Sequence, residues 1–157
     1  MLPLRTILAP TDFSRHSNHA IRYASELARQ FGATLVLLHI LTDDVLQDIS
    51  RTHVPPHPVD KVYEDLAQEI REQYARSVMP DARKGLGVEI LVLSGDPSLE
   101  IVHTAERRPV DLIVMATHGR TGLRHIMIGS VTVKVVRKAA CPVLSLRPVE
   151  MKAAYAA

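Results

Sequence analysis

The sequence predicts an α/β fold: a single-domain, doubly wound, Rossmann-like arrangement around a five-stranded parallel sheet. Three observations carry that expectation. Short apolar runs recur along the 157 residues, separated by stretches with helical spacing. Most of these runs are apolar throughout rather than alternating, as strands buried on both faces are. The segments between them suit right-handed β-α-β crossovers.

Residues 4–9 (LRTILA) form the first expected strand. Residues 17–31 read as a helix with Ala20, Ala24, Leu27 and Phe31 on one face and Gly32 as its stop. Residues 34–40 are a second strand, apolar until His39. Residues 59–78 read as a helix with Val62, Leu66, Ile70 and Tyr74 at i+4 spacing. A third strand is expected at 88–93 and a short helix at 97–107. Pro97 suits the first turn of that helix, where a missing N–H has no partner to lose. The fourth strand is 112–116 and the fifth 142–146.

Two segments need more argument. Residues 131–136 (VTVKVV) are β-branched at five of six positions, and propensity alone favours a strand. Gly129-Ser130 before them suits a helix start, Arg137-Lys138 after them suits a helix end, and a crossover is needed before the fifth strand. A helix is therefore expected there. Residues 42–58 are expected to be the longest irregular stretch, a lid or connector carrying Asp43, Asp44, Asp48, His53 and His57. Prolines 55, 56 and 58 deny His53 and His57 the helical presentation a metal pair wants, so no metal site is expected.

Length and composition bound the function. The chain is expected to be one domain over residues 1–148, with 149–157 as a tail. Net charge is only +2, and two Phe, four Tyr and no Trp are scattered along the chain. A nucleic-acid binder would pair a basic stripe with stacking aromatics, so nucleic acid is not an expected partner. Cys141 is the single cysteine, which excludes an intrachain disulfide and reads as a buried, inert thiol rather than a redox centre. No apolar run reaches the length of a membrane span, and residues 1–5, without a long apolar core and a small-residue cleavage site, are not expected to begin a leader. A cytoplasmic protein without membrane contact is expected.

In doubly wound sheets, ligands sit outside the carboxyl ends of the strands. Pro10-Thr11-Asp12, His39-Ile40, Ser94-Gly95-Asp96 and Thr117-His118-Gly119 stand there. The stretch 117–130, THGRTGLRHIMIGS, follows the fourth strand with three glycines and two arginines. Gly119 and Gly122 permit backbone angles that converge N–H groups on one point, and Gly129-Ser130 opens a helix whose first N–H groups attract anions. Arg120, Arg124 and His125 would add charge around a polyphosphate. The bland alternative is two turns with solvated arginines, and neither a Walker A loop nor GxGxxG is present. Asp12 suits a ribose hydroxyl or a cation bridging phosphates, and equally a helix-capping role shared with Ser14. Ile40 suits an apolar wall for a base, or plain core packing. No nucleophile stands out; His39 and His118 reach the strand ends but such histidines commonly serve structure. Slow or absent turnover is expected.

Along nearly its whole length the chain resembles the universal stress protein family. The landmarks are residues 7–14 (ILAPTDFS), 37–40 (LLHI), 95–97 (GDP), 115–122 (MATHGRTG), 129–131 (GSV) and 141–144 (CPVL). The resemblance implies the sheet order 3-2-1-4-5, a homodimer and a stress-response regulatory role. In the ATP-binding branch it implies a G-x2-G-x9-G-[ST] motif. Gly119, the nine residues after it, and Gly129-Ser130 fit; Ala116 replaces the first glycine, and its methyl puts affinity in question. Val133 is a second departure, at a position where the resemblance implies a polar residue. By the same resemblance, Pro10, Thr11, Asp12 and Ile40 line adenine and ribose. Met115 and Ala116 flank the base or sugar, and Gly119, Gly129, Ser130 and Val131 hold phosphates, with Arg120 and Gly122 in the same loop. The ligand would be ATP, ADP or AMP, with Mg²⁺ touched indirectly by Asp12 as one option. A dimeric partner-binding module without nucleotide is the alternative. In the implied order the fifth strand lies at an edge, so Pro142, Val143, Leu144 and Leu146 are expected to pair with a second copy.

Overall fold

The structure, a computed structural model, describes residues 4–51, 59–118 and 128–147. The elements run β1 (Thr6–Pro10), α1 (Arg15–Phe31), β2 (Thr34–Leu41), α2 (Asp43–Arg51), α3 (Val59–Ser77), α4 (Pro80–Arg83), β3 (Val88–Ser94), α5 (Pro97–Arg107), β4 (Leu112–Ala116), α6 (Ser130–Lys138) and β5 (Val143–Leu146). The strands form one parallel sheet in the order β3-β2-β1-β4-β5. The predicted fold class and strand order are the observed ones.

The uninterrupted apolar runs follow from the two covered faces. Successive strand residues point to opposite sides. Ile7, Ala9, Leu35 and Leu37 pack beneath α1 and α3, with Ile21, Ala24, Ile70 and Tyr74. Leu8, Val36, Leu38 and Ile113 pack beneath α5 and α6, with Ile101, Val102 and Val135. A strand between two helical layers has no solvated face to make polar.

Local signals set the helix ends. Ser14 caps α1 by accepting the Ser17 N–H at 3.1 Å. Gly32 ends it in the left-handed conformation, φ 65°, which a glycine adopts without a Cβ penalty. The buried stripe of α1 runs through Ala20, Ala24, Ser25 and Ala28, small residues that let the helix lie close on the sheet. Phe31, expected on that stripe, falls at its end and is 38% exposed.

The segment 131–136 is helical, as expected, against its propensity. Thr132 and Val135 are buried under the sheet, and burial outweighs a few tenths of a kcal/mol per β-branched residue. Residues 42–58 correct the expectation of one irregular stretch. Asp43–Arg51 is α2, with Asp43 and Asp44 in its positively polarised first turn and the Leu46 N–H bonded to Thr42 O at 3.1 Å. The prolines and both loop histidines lie in 52–58, outside the described residues. The short α4 was also not anticipated from the sequence; Pro80 opens it.

Asp96 caps α5, accepting the Leu99 N–H at 3.0 Å and the Ser98 hydroxyl. The Ser98 hydroxyl first, and the Leu99 N–H second, hold its carboxyl below the usual carboxylate range. A depressed carboxylate contributes stability above its unfolded value, and that contribution is lost as pH falls through the folded one. Asp96→Ala is expected to cost about 1 kcal/mol at neutral pH. The cost should shrink below about pH 4, where the unfolded group protonates. Urea titrations of both proteins at neutral and acidic pH check this; an undiminished difference at acidic pH contradicts it.

Candidate functional site

The carboxyl ends of β1, β2 and β4 open on a cavity of about 610 Å³. The order β2-β1-β4 places the switch point at β1, where the chain leaves for α1 on one face and the next sheet neighbour is followed by α6 on the other. Nine of the residues expected to bind nucleotide line this cavity: Pro10, Thr11, Asp12, Ile40, Met115, Ala116, Gly129, Ser130 and Val131; His39 and His118 line it as well. Gly119, Arg120 and Gly122 lie outside the described residues, as do Arg124 and His125.

The β1–α1 corner is built from side chains that satisfy one another. The Thr11 N–H continues the sheet by donating to Leu38 O at 2.8 Å. The Thr11 hydroxyl is buried between Gln73 Oε1, at 3.0 Å, and Ser17 Oγ, at 3.1 Å, and it accepts the Phe13 N–H at 3.2 Å. The hydroxyl therefore ties α3 to α1, a structural task the sequence did not disclose. Asp12 accepts the Ser14 N–H through Oδ1 at 3.0 Å and is one of the residues lining the cavity. His39 Nδ1 donates to Thr11 O at 2.8 Å. A carbonyl only accepts, so that nitrogen carries the proton.

The β4–α6 side is equally constrained. Thr117 N–H and Oγ1 both donate to Leu146 O, at 2.8 and 3.2 Å, and Thr117 O accepts the Gly129 N–H at 2.6 Å. The Gly129 N–H is thus engaged, which corrects the picture of this glycine as an anion donor. Its role is steric: a Cβ at 129 would stand 3.0 Å from Thr117 O, a backbone atom that cannot swing away. The anion-attracting N–H groups are those of the turn that follows, beginning at Ser130. Thr132 Oγ1 donates to Ala116 O at 3.0 Å and fixes α6 against the end of β4.

The far wall was not legible. Thr42, Asp44 and Val45 reach it from the start of α2, and Leu66 and Glu69 from α3. Bonding to the Thr42 hydroxyl holds the Asp44 carboxyl below its usual range. The Asp43-Asp44 pair ahead of Val45 and Leu46 was the available signal for that helix. The cavity is therefore two-ended: carboxylates and apolar side chains at α2 and α3, a positively polarised helix start at α6. An anionic ligand would put its charge at α6.

Cys141 lies before β5, and burial first, with Asp111 adding to it, pushes its thiol up, which lowers the reactive thiolate fraction. Among the described residues no group of three or more His, Cys, Asp or Glu is placed to hold a metal ion. No described helix is long and apolar enough to cross a membrane.

A model of the universal stress protein family matches residues 3–147. The chain belongs to that family. Among universal stress proteins, YxiE of Bacillus subtilis is 33% identical over 144 residues, covering 90% of this chain and 97% of its own length. MJ0577 of Methanocaldococcus jannaschii is 30% identical over 153 residues, covering 91% and 94%. The solved structure of MJ0577 superposes with a TM-score of 0.71 at 26% identity over 94% of this chain and 98% of its own. Two universal stress proteins solved with ligands share the fold. One, in complex with cAMP, has a TM-score of 0.64 at 19% identity and covers 93% of this chain and 98% of its own. The other, from Archaeoglobus fulgidus in complex with dAMP, has 0.57 at 20%, covering 92% and 98%.

Proposed function

We propose that this universal stress protein is a cytoplasmic, homodimeric regulator that binds an adenine nucleotide and turns it over slowly or not at all. The observation that carries the reading is the two-ended cavity at the switch point. Its volume falls within the range of roughly 300–1,000 Å³ usual for small-ligand sites. Ile40 and Met115 supply apolar wall for a base, Asp12 stands where a ribose hydroxyl can donate to it, and the α6 start takes phosphate. The cAMP and dAMP complexes of two family members support the ligand class. Ala116 adds a methyl to the wall, yet the cavity keeps its 610 Å³ with that methyl in place. ATP, ADP and AMP share every contact invoked except the outer phosphates. Mg²⁺ would be met through Asp12 and the phosphates together.

The test needs no added ligand at first. Protein purified without nucleotide is denatured and the released small molecules identified by mass spectrometry; ATP is then titrated with and without Mg²⁺. A stoichiometric adenine nucleotide, or saturable ATP binding, is expected. A clean blank with no binding at millimolar ATP would overturn the reading and leave the partner-binding dimer. Turnover of about one per second or faster would overturn the regulatory assignment.

A further inference from the structure

Phe13 is the single non-glycine residue with positive φ among the described residues, at 63°. An aromatic side chain there is held against a backbone preference, and such conformations persist only where the surroundings over-determine them. The surroundings here are the edge of the core beneath α1, the Thr11 hydroxyl that accepts the Phe13 N–H at 3.2 Å, and one imidazole. The Phe13 ring lies 4.6 Å from the His39 ring, centroid to centroid, tilted by 51°. The same imidazole donates from Nδ1 to Thr11 O at 2.8 Å. His39 is 9% exposed and sits near the end of β2.

Between these two anchors lies Asp12. The carbonyl of Thr11 and the N–H of Asp12 share one rigid peptide plane, so the His39 bond sets the plane on which Asp12 begins. The Phe13 turn sets the direction in which the chain leaves it. The Ser14 N–H, at 3.0 Å from Oδ1, then holds the carboxylate itself. We propose that His39 and Phe13 are positioning residues that aim the Asp12 carboxylate at the ribose hydroxyls of the bound nucleotide. This rests on the nucleotide reading above. Both rings also line the cavity, but the pair acts on the ribose through Asp12, so its removal should cost the preference for an intact ribose far more than the affinity for base and phosphates.

ATP and 2′,3′-dideoxy-ATP are the probes, titrated by calorimetry into the full chain, with a melting temperature for each variant. The wild type is expected to bind ATP about tenfold more tightly than the dideoxy analogue, the size of one good hydrogen bond. In His39→Phe, which keeps a ring but no donor, that ratio should fall to about one while dideoxy-ATP binds within about twofold of wild type. His39→Asn should keep the ratio, because the amide nitrogen stands where Nδ1 stood. A preserved ratio in His39→Phe, or an equal loss for both ligands, overturns the proposal. If His39→Phe fails to fold, Phe13→Gly replaces it: glycine accepts the positive φ and removes the ring anchor, and an unchanged ratio there also overturns the proposal. A wild type that binds both ligands equally overturns this inference and leaves the nucleotide reading standing. A wild type that binds neither removes both.

Discussion

Gly129→Asp is expected to weaken adenine-nucleotide binding by at least about a hundredfold, close to 2.7 kcal/mol. Two physical effects act in the same direction. Any Cβ at 129 meets Thr117 O at 3.0 Å, so the start of α6 must move away from the end of β4. The carboxylate then adds negative charge beside the proposed phosphate position; two unit charges about 4 Å apart repel by about 4 kcal/mol at the effective dielectric of a partly exposed site. The backbone at Gly129, φ −67°, is ordinary for any residue, so helix geometry itself is not strained. Gly129→Ala separates the two effects, because it carries the steric term alone and should lose less affinity than the aspartate. Calorimetric ATP titrations of the three proteins measure this. ATP affinity unchanged in Gly129→Asp would mean that phosphate does not sit at α6.

Ser145→Pro is expected to convert the proposed homodimer into monomers that stay folded. Ile113 N–H donates to Pro142 O and Thr117 N–H to Leu146 O. By the alternation of a parallel ladder, Pro142, Leu144 and Leu146 turn their peptide groups to β4, and Val143 and Ser145 turn theirs to the open edge. A proline at 145 removes an outward N–H that a second copy would use, and prolines are tolerated on such edges. Leu144→Asp, a second change on the same strand, acts elsewhere. Leu144 is half-buried and packs on the core formed by Ile7, Ala9 and α1, so a carboxylate there should destabilise the protomer by about 2–4 kcal/mol. Light scattering for mass and thermal denaturation for stability distinguish the two variants. A dimer that survives Ser145→Pro lies on another surface than the β5 edge.

The architecture was legible because its cause is local and repeated. A strand covered on both faces must be apolar at every position, and β2 shows this from Leu35 to Leu38, all within 1% of complete burial. Serine at 14, glycine at 32 and aspartate at 96 mark helix ends through bonds that span at most four residues. Where the sequence misled, one local signal masked another. The helix start at Asp43 was hidden by prolines that lie more than a turn beyond it.

The layers of this universal stress protein were written in the sequence: its five strands, the four helices α1, α3, α5 and α6, and strand ends that carry the glycines and carboxylates, whereas α2 and α4 were not. Burial and capping act on neighbours, and neighbours are written in order along the chain. Which distant groups those strand-end residues bond is visible in the tertiary structure alone. Thr11 lines the cavity, and its hydroxyl joins Gln73, 62 residues away, to Ser17. Gly129 looked like an anion donor, and its N–H belongs to Thr117. His39 read most simply as a structural histidine, and the structure supplies its partner, the carbonyl of the peptide on which Asp12 begins. A hydrogen bond of about 3 Å is decided by where two distant segments meet, and no periodicity in the sequence records that meeting.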